Sequence, residues 1–158
     1  MAMQGYVTIH SKVQGAFRGN DKHEFGSQCI AFSFQVESPR DVATGQASGK
    51  RQHKPVVITK EWGASTPQLF QALWSNEVLD TVGIEFVRSG SSGQESVYYT
   101  IQLTNAVISQ VQHIGRSKCS VEFVYEEISF SHSAPRPGSA GILHRGAFMG
   151  PVPLPFSN

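Results

Sequence analysis

The stretch His53–Trp74, HKPVVITKEWGASTPQLFQALW, decides the fold. Its β-branched run, Val56 to Thr59, is typical of a strand, and Gly63 interrupts that pattern. Pro67 suits the first position of a helix, because its missing N–H would have no partner there and its ring presets φ. The stretch therefore predicts a strand, a turn and a helix in succession.

The predicted helix spans about residues 66–75 and is amphipathic. Ser65 and Thr66 offer capping oxygens just before Pro67. One face carries the apolar side chains Leu69, Phe70, Leu73 and Trp74. The other face carries the polar side chains Gln68, Gln71 and Ser75. Most other signals in the chain are strand, so this helix is expected to cover a sheet.

Length and composition indicate one globular domain. The 158 residues include 39% hydrophobic and 16% charged side chains, and the net charge is +1. This balance argues against disorder and against a nucleic-acid or anionic-membrane surface along the whole chain. The start, MAMQGYVTIHSKVQG, has no leader pattern, and no apolar run reaches membrane-spanning length. We expect folding in the cytoplasm, with any export by a route that reads no N-terminal leader.

Strands are predicted before the central stretch. Gly5–Ser11 alternates, and Cys29–Val36 alternates more clearly. In the second strand the row expected to be buried is Ile30, Phe32, Phe34 and Val36. The opposite row is expected to show a small, uncharged surface and consists of Cys29, Ala31, Ser33 and Gln35.

Strands after the helix indicate a curved sheet. A strand over 82–86 and a return strand from Val97 flank the turn Ser89–Gly93. The alternation changes phase at Asn105-Ala106 and again at Glu126-Glu127, as bulges and bends cause it to do. Such bends curl a sheet, so we predict a mainly β fold, a small antiparallel barrel flanked by one α-helix.

Two segments lack any period. Residues 37–54, ESPRDVATGQASGKRQHK, form a loop of unusual length, which is expected to reach away from its own domain. Residues 133–158 contain five of the eight prolines and are predicted to be a flexible tail after a domain over 1–132. The role of the tail stays open.

No motif indicates catalysis. The six histidines and the two cysteines, Cys29 and Cys119, lack metal-ligand spacing, and both thiols are expected to be free and buried. The basic cluster Lys50, Arg51, His53 and Lys54 lacks the interleaved aromatics of a nucleic-acid site. We predict no catalytic, cofactor or metal residues, and binding or assembly is favoured over catalysis.

Motifs in a shared order resemble the haemolysin-coregulated protein (Hcp) family of type VI secretion. In the central stretch they are Thr59-Lys60, Gly63, Ser65-Thr66-Pro67, Leu69 and Ala72. Elsewhere they are Asp21-Lys22-His23-Glu24, Phe32-Ser33-Phe34, Gly49-Lys50, Tyr98-Tyr99 and Val121-Glu122-Phe123. The resemblance covers residues 2 to about 132; Phe32 and Phe34 stand where many members carry tryptophan.

The resemblance implies a structural subunit of the secretion tube. Six copies would close into a ring, rings would stack inside a contractile sheath, and a VgrG-type spike would cap the tube. The subunit would be secreted, and its lumen would hold effector proteins.

The resemblance also implies site residues. Ser33 is expected to face the lumen with Ala31 and Gln35. The reach and charge of the long loop, and not the resemblance, lead to a further hypothesis: Arg40, Lys50, Arg51 and Lys54 meet acidic groups of a neighbour, such as Asp21, Glu24 or Glu61. Two rival readings stay open: a generic oligomeric β-barrel adaptor, and a hydrolase that uses Cys29 or Ser33 with a distant histidine.

Overall fold

A computed structural model describes residues 4–19 and 26–132. The predicted tail, 133–158, and the acidic residues Asp21 and Glu24 lie outside these ranges. The elements are β1 (Gln4–Ser11), β2 (Gly15–Ala16), β3 (Ser27–Ser33), β4 (Val36–Glu37), β5 (Gln52–His53), β6 (Val56–Glu61), α1 (Thr66–Trp74), β7 (Leu79–Ser89), β8 (Glu95–Ile114) and β9 (Lys118–His132).

Six strands form a closed antiparallel barrel, as predicted. They follow the order β1-β3-β6-β9-β8-β7, and β7 pairs back onto β1. The inward rows are mostly aliphatic or aromatic, so the barrel interior is a packed core. The fully buried side chains of the barrel and of the helix against it include Val56, Ile58, Leu69, Leu79, Val82, Ile84, Leu103, Val121, Phe123 and Ile128.

The helix α1 covers the sheet with a narrower face than the sequence suggests. Leu69 and Ala72 are buried, whereas Trp74, predicted to be on the buried face, is 77% exposed. Trp74 lies about 140° around the helix from Leu69, beyond the arc that the sheet covers. Its ring instead packs on Phe70, whose ring stacks on His113.

The start of α1 also differs from the predicted cap. The Ser65 side chain makes no capping hydrogen bond, and its hydroxyl lies 3.1 Å from that of Ser27 on β3. The Thr66 hydroxyl accepts a hydrogen bond from the Gly63 N–H. These two hydroxyls tie the helix to the turn before it and to the sheet.

The alternation predicted for β3 is wrong at its first positions. Cys29 is 9% exposed and belongs to the core, whereas Ile30, predicted to be buried, is 44% exposed. The register of β3 against β6 shifts between Cys29 and Ala31, and this bulge exchanges the two faces. From Phe32 onward the predicted phase is correct.

Both predicted changes in the alternation of buried and exposed residues are present, and they lie opposite each other on β8 and β9. Asn105 on β8 has a left-handed backbone with φ of 49°. Its side-chain amide donates to Glu126 on β9 at 2.9 Å. On both strands the inward row changes phase at this point, so the two strands bend together rather than against each other.

Candidate assembly surface

The loop 37–54 is an ordered arm rather than irregular chain. At its root, Val36 and Glu37 of β4 pair with His53 and Gln52 of β5. Further out, Arg40 and Ala47 form an isolated antiparallel bridge. The segment is exposed, and a backbone ladder orders it, which side-chain periodicity cannot reveal.

The tip of the arm is a hydrogen-bonded turn. The Asp41 carbonyl accepts from the Gly45 N–H at 2.8 Å, and the Asp41 N–H donates to the Gln46 carbonyl at the same distance. The Asp41 carboxylate accepts from the Ala43 N–H. At the apex Val42 is 103% exposed, so the turn presents an aliphatic side chain entirely to solvent.

Every residue from 40 to 52 is exposed. An ordered segment with no burial of its own has no hydrophobic contribution to offset its lost conformational entropy. The hydrogen bonds along the arm supply its order. A surface of this kind fits a partner that covers it on binding.

The four predicted basic residues separate into three settings. Lys50 and Arg51 line a concave space of about 490 Å³, together with Pro39 and His53. Burial, and secondarily the positive charge of Arg51, lowers the pKa of His53. Lys54 lines a neighbouring cleft, described below.

Arg40 is directed back onto its own arm, where its guanidinium donates to the Gly45 carbonyl at 3.1 Å. This contact stiffens the tip. Of the predicted acidic partners, the structure describes only Glu61, which is exposed.

A second, smaller cleft lies at the root of the arm. Its volume is about 240 Å³, and His53, Lys54, Pro55, Val124 and Tyr125 line it. The Tyr125 hydroxyl lies 3.3 Å from His53 Nδ1 and donates to the Lys54 carbonyl. Burial raises the pKa of Tyr125 to about 12, so this hydroxyl stays protonated at neutral pH.

The row predicted to face the lumen is exposed. Ala31, Ser33 and Gln35 all lie on the outside of the barrel, with Ile30 beside them. The Gln35 side-chain amide donates to the Glu37 carboxylate at 2.6 Å. The side chains of this row are small and uncharged, as predicted. That the row faces the lumen of a ring stays a prediction.

Half-buried aromatic rings hold this row in place from beneath. Phe34 packs on Phe130 and Tyr125, with ring centres 5.4 and 6.5 Å apart. Phe32 packs edge-on against Phe86 at 5.9 Å. These contacts join the end of β3 to β7 and β9, so the outward side chains between the two phenylalanines have a fixed direction.

The two cysteines are buried and lie on either side of a buried lysine. Lys60 on β6 pairs with Cys29 on β3 and with Cys119 on β9. Lys60 is 2% exposed, and its ammonium donates to the Glu61 carbonyl at 2.8 Å. Burial lowers the pKa of Lys60, while the adjacent Cys119 opposes that change.

These surroundings disfavour Cys29 as a nucleophile. Its thiol donates to the Ala31 carbonyl at 3.2 Å, and burial raises its pKa to about 11. The reactive form of a cysteine is the thiolate, which this site suppresses at neutral pH. Within residues 4–19 and 26–132, no group of three His, Cys, Asp or Glu side chains is placed to hold a metal ion. Among the described residues, no helix has both the length and the apolar character needed to span a membrane.

Comparisons with known proteins agree with this architecture. A family model described as "Type VI secretion system effector, Hcp" matches residues 6–132. The "Major exported protein" of Pseudomonas aeruginosa is 34% identical over 155 residues, covering 84% of this chain and 90% of that protein.

Two solved structures extend the comparison. One, described as "Crystal structure of Hcp protein", superposes with a TM-score of 0.78 at 26% identity and covers 86% of this chain and 96% of that one. The other, "Secreted protein Hcp3" from Pseudomonas aeruginosa, has a TM-score of 0.70 at 28% identity and covers 83% and 91%.

Proposed function

We propose that this chain, which belongs to the Hcp family of the type VI secretion system, closes into rings of six copies that stack through the exposed arm. It is a structural subunit of the secretion tube and a secreted protein. The ring, the stack, the VgrG-type cap, the surrounding sheath and the effectors in the lumen are our proposals for this chain. We also propose assembly in the cytoplasm and release without a cleaved leader, and no catalytic step.

The observation that carries the proposal is the arm, ordered by its own hydrogen bonds yet exposed at every residue from 40 to 52. A ring of identical subunits uses heterologous contacts, in which two different surfaces of each copy meet. A projecting arm supplies one such surface without disturbing the closed barrel. Stacking then needs only that the arm reach a copy in the next ring.

One edge of the barrel supports lateral contact as well. Residues 124–132 of β9 pair with β8 along one side, and in the described chain no strand pairs with the other side. An edge with unpaired backbone groups is a ready surface for a neighbouring copy. We propose that ring closure uses this edge.

The first experiment measures the assembly of the purified protein. Light scattering after size exclusion is expected to give the mass of six chains, and negative-stain microscopy is expected to show rings. A species of one chain at high concentration would contradict the ring.

Charge on the arm is proposed to help rings stack. Replacement of Lys50, Arg51 and Lys54 by alanine together is expected to leave rings intact and to reduce stacking, because the arm loses its electrostatic attraction to acidic groups on the neighbouring copy. Stacking that persists unchanged in electron micrographs would dispose of this role.

The lumen assignment is tested with the exposed row of β3. We expect Ser33→Gln to preserve rings but to lower the amount of a lumen-bound effector, since a longer side chain crowds a small, neutral wall. Thr100→Gln, at a half-buried position on β8, serves as a control for general loss of folding. Unchanged effector levels in Ser33→Gln would count against the assignment.

A further inference from the structure

We propose that the proline-rich end of the chain, residues 151–156, docks on a row of exposed rings beside the helix α1 of the same chain. The inference goes beyond the proposed tube and does not depend on it. It gives residues 133–158, whose role is otherwise open, a surface to bind. The aromatic row consists of the side chains of Trp62, His113, Phe70 and Trp74.

The aromatic row is a continuous surface built by three elements. The ring centres of Trp62 and His113 lie 4.6 Å apart, and His113 stacks on Phe70 at 5.3 Å. Phe70 packs on Trp74 at 5.8 Å. These side chains come from the turn before α1, from α1 and from the end of β8. The Trp62 indole N–H donates to the Lys118 carbonyl at 2.9 Å, which fixes one end of the row.

The aromatic row leaves much apolar area in contact with water. Trp74 is 77% exposed and Trp62 is 48% exposed. Because indole rings carry a large apolar area, their burial against a ligand is favourable. The row shares no residue with the arm or with the edge 124–132 of β9. A ligand can therefore occupy it in a subunit whose other two surfaces are engaged.

Residues 151–156, PVPLPF, have the composition of a ligand for such a surface. Proline holds φ near about −65°, and alternate prolines favour a polyproline II helix, which aromatic-lined grooves recognise. Every side chain of the segment is apolar, so each side of that helix can pack on rings. Six residues rise about 19 Å, enough to cross four rings at the spacings above. Prolines also restrict the unbound chain, so docking costs less conformational entropy.

The chain is long enough for this contact within one subunit. The aromatic row adjoins Lys118 at the start of β9, and the tail leaves β9 at His132. Along a strand these two residues are at most about 48 Å apart. The connecting residues, 133–150, span up to about 60 Å when extended. A tethered ligand also has a high effective concentration, so even a weak contact is populated.

Tryptophan fluorescence tests the docking, because Trp62 and Trp74 are the two tryptophans of the chain. Replacement of Pro151, Pro153 and Pro155 by serine together is expected to shift their emission to longer wavelength and to raise acrylamide quenching about twofold, since the rings return to water.

Pro135→Ser with Pro137→Ser is the matched control, because it makes the same change elsewhere in the same tail. We expect it to leave emission and quenching as they are in the unmodified protein. Unchanged readings in the triple variant, or an equal change in this control, would overturn the docking.

Proteolysis tests the contact from the side of the aromatic row. Chymotrypsin cuts after aromatic residues, and docking shields the bond between Phe156 and Ser157. We expect Trp74→Ala to speed the loss of residues 157–158 about threefold or more, measured by mass spectrometry, because the undocked tail is more populated. Ile30→Ala, at an exposed apolar position on β3, is the control and should be cleaved at the unmodified rate. Equal rates for Trp74→Ala and the unmodified protein would contradict the proposal.

A mixture of the two variants decides which copy supplies the tail. The Trp74→Ala chain keeps an intact tail, and the triple proline variant keeps an intact aromatic row. When the two are refolded together, docking within one chain leaves the Trp74→Ala tail rapidly cleaved. Slower cleavage in the mixture would place the tail on another copy and overturn docking within one chain. None of these readings is the mass of the assembly, so the ring proposal stands or falls separately.

Discussion

Leu103 in the barrel wall and Val42 at the tip of the arm are both aliphatic, yet the first is fully buried and the second is 103% exposed. The barrel holds its strands by packing such side chains against one another. The arm holds its shape with backbone hydrogen bonds and buries almost nothing. The difference teaches that the barrel carries the stability of the fold while the arm is left free for the assembly we propose, so substitutions in one region should leave the other unchanged.

The largest expected effect comes from the barrel core. Phe123 is fully buried and pairs across to Val56 and Ile108. We expect Phe123→Ala to lower the free energy of unfolding by about 3–5 kcal/mol through the cavity it leaves. Urea denaturation measures this, with Val42→Ala as the arm control that changes it by less than about 0.5 kcal/mol. Equal losses in both variants would erase the distinction between the regions.

The buried Lys60 makes the free energy of unfolding of the barrel depend on pH. Burial lowers the pKa of Lys60 from its usual 10.5. Between that lowered value and 10.5 the unfolded chain binds more protons than the folded one, so the free energy of unfolding gains a contribution that rises with pH.

Lys60→Met is expected to remove this rise, and denaturation at several pH values from 7 to 10 measures it. The flanking thiols of Cys29 and Cys119, whose pKa values are raised by burial, act in the opposite direction. Because the charge of Lys60 also lowers the pKa of Cys119, the difference between the two curves reports Lys60 together with its coupling to that thiol. Parallel curves would show that Lys60 titrates alike in the folded and unfolded chain.

A smaller effect is expected where the barrel bends. Asn105 adopts a left-handed backbone and donates to Glu126. Asn105→Ala loses that hydrogen bond and strains the backbone, so we expect a loss of about 1–2 kcal/mol. Asn105→Gly loses the same hydrogen bond without strain and should cost less in the same urea titration. A glycine variant that is no more stable than alanine would show that φ at this position is unimportant.

The smallest effect on stability is expected in the arm. Arg40→Ala removes the hydrogen bond to the Gly45 carbonyl, an exposed contact, and should change the free energy of unfolding by less than about 0.5 kcal/mol. Hydrogen exchange at Gly45 and Gln46 is nevertheless expected to become faster, because the turn loses a brace. Arg116→Ala, an exposed arginine between β8 and β9, is the control. Unchanged exchange at the tip would mean that the backbone alone orders it.

Sequence patterns predicted the barrel better than its details. The strand, turn and helix around Gly63 follow from local propensities, and the paired bends at Asn105 and Glu126 follow from visible changes of phase. The exposure of Ile30 was not predictable, because an apolar residue on a bulge looks the same in sequence as one in the core. Trp74 was misplaced for a related reason, since the helix carries a wider apolar face than the sheet covers.

The form of the arm could not be predicted from the sequence. Composition alone marked 37–54 as a segment that reaches outward. Its hydrogen bonds join main-chain atoms, which every sequence possesses, so neither the β4–β5 pairing nor the turn at Asp41 left a side-chain pattern. Arg40 was grouped with the other cations by its charge, and only the structure directs it to Gly45.

The arm draws its order from hydrogen bonds within its own span, so its outer surface can change without any change in the barrel. Under the proposed assembly, two related subunits with the same strands and different arms would not mix. Compatibility between copies would then be decided by a segment that the fold itself does not need.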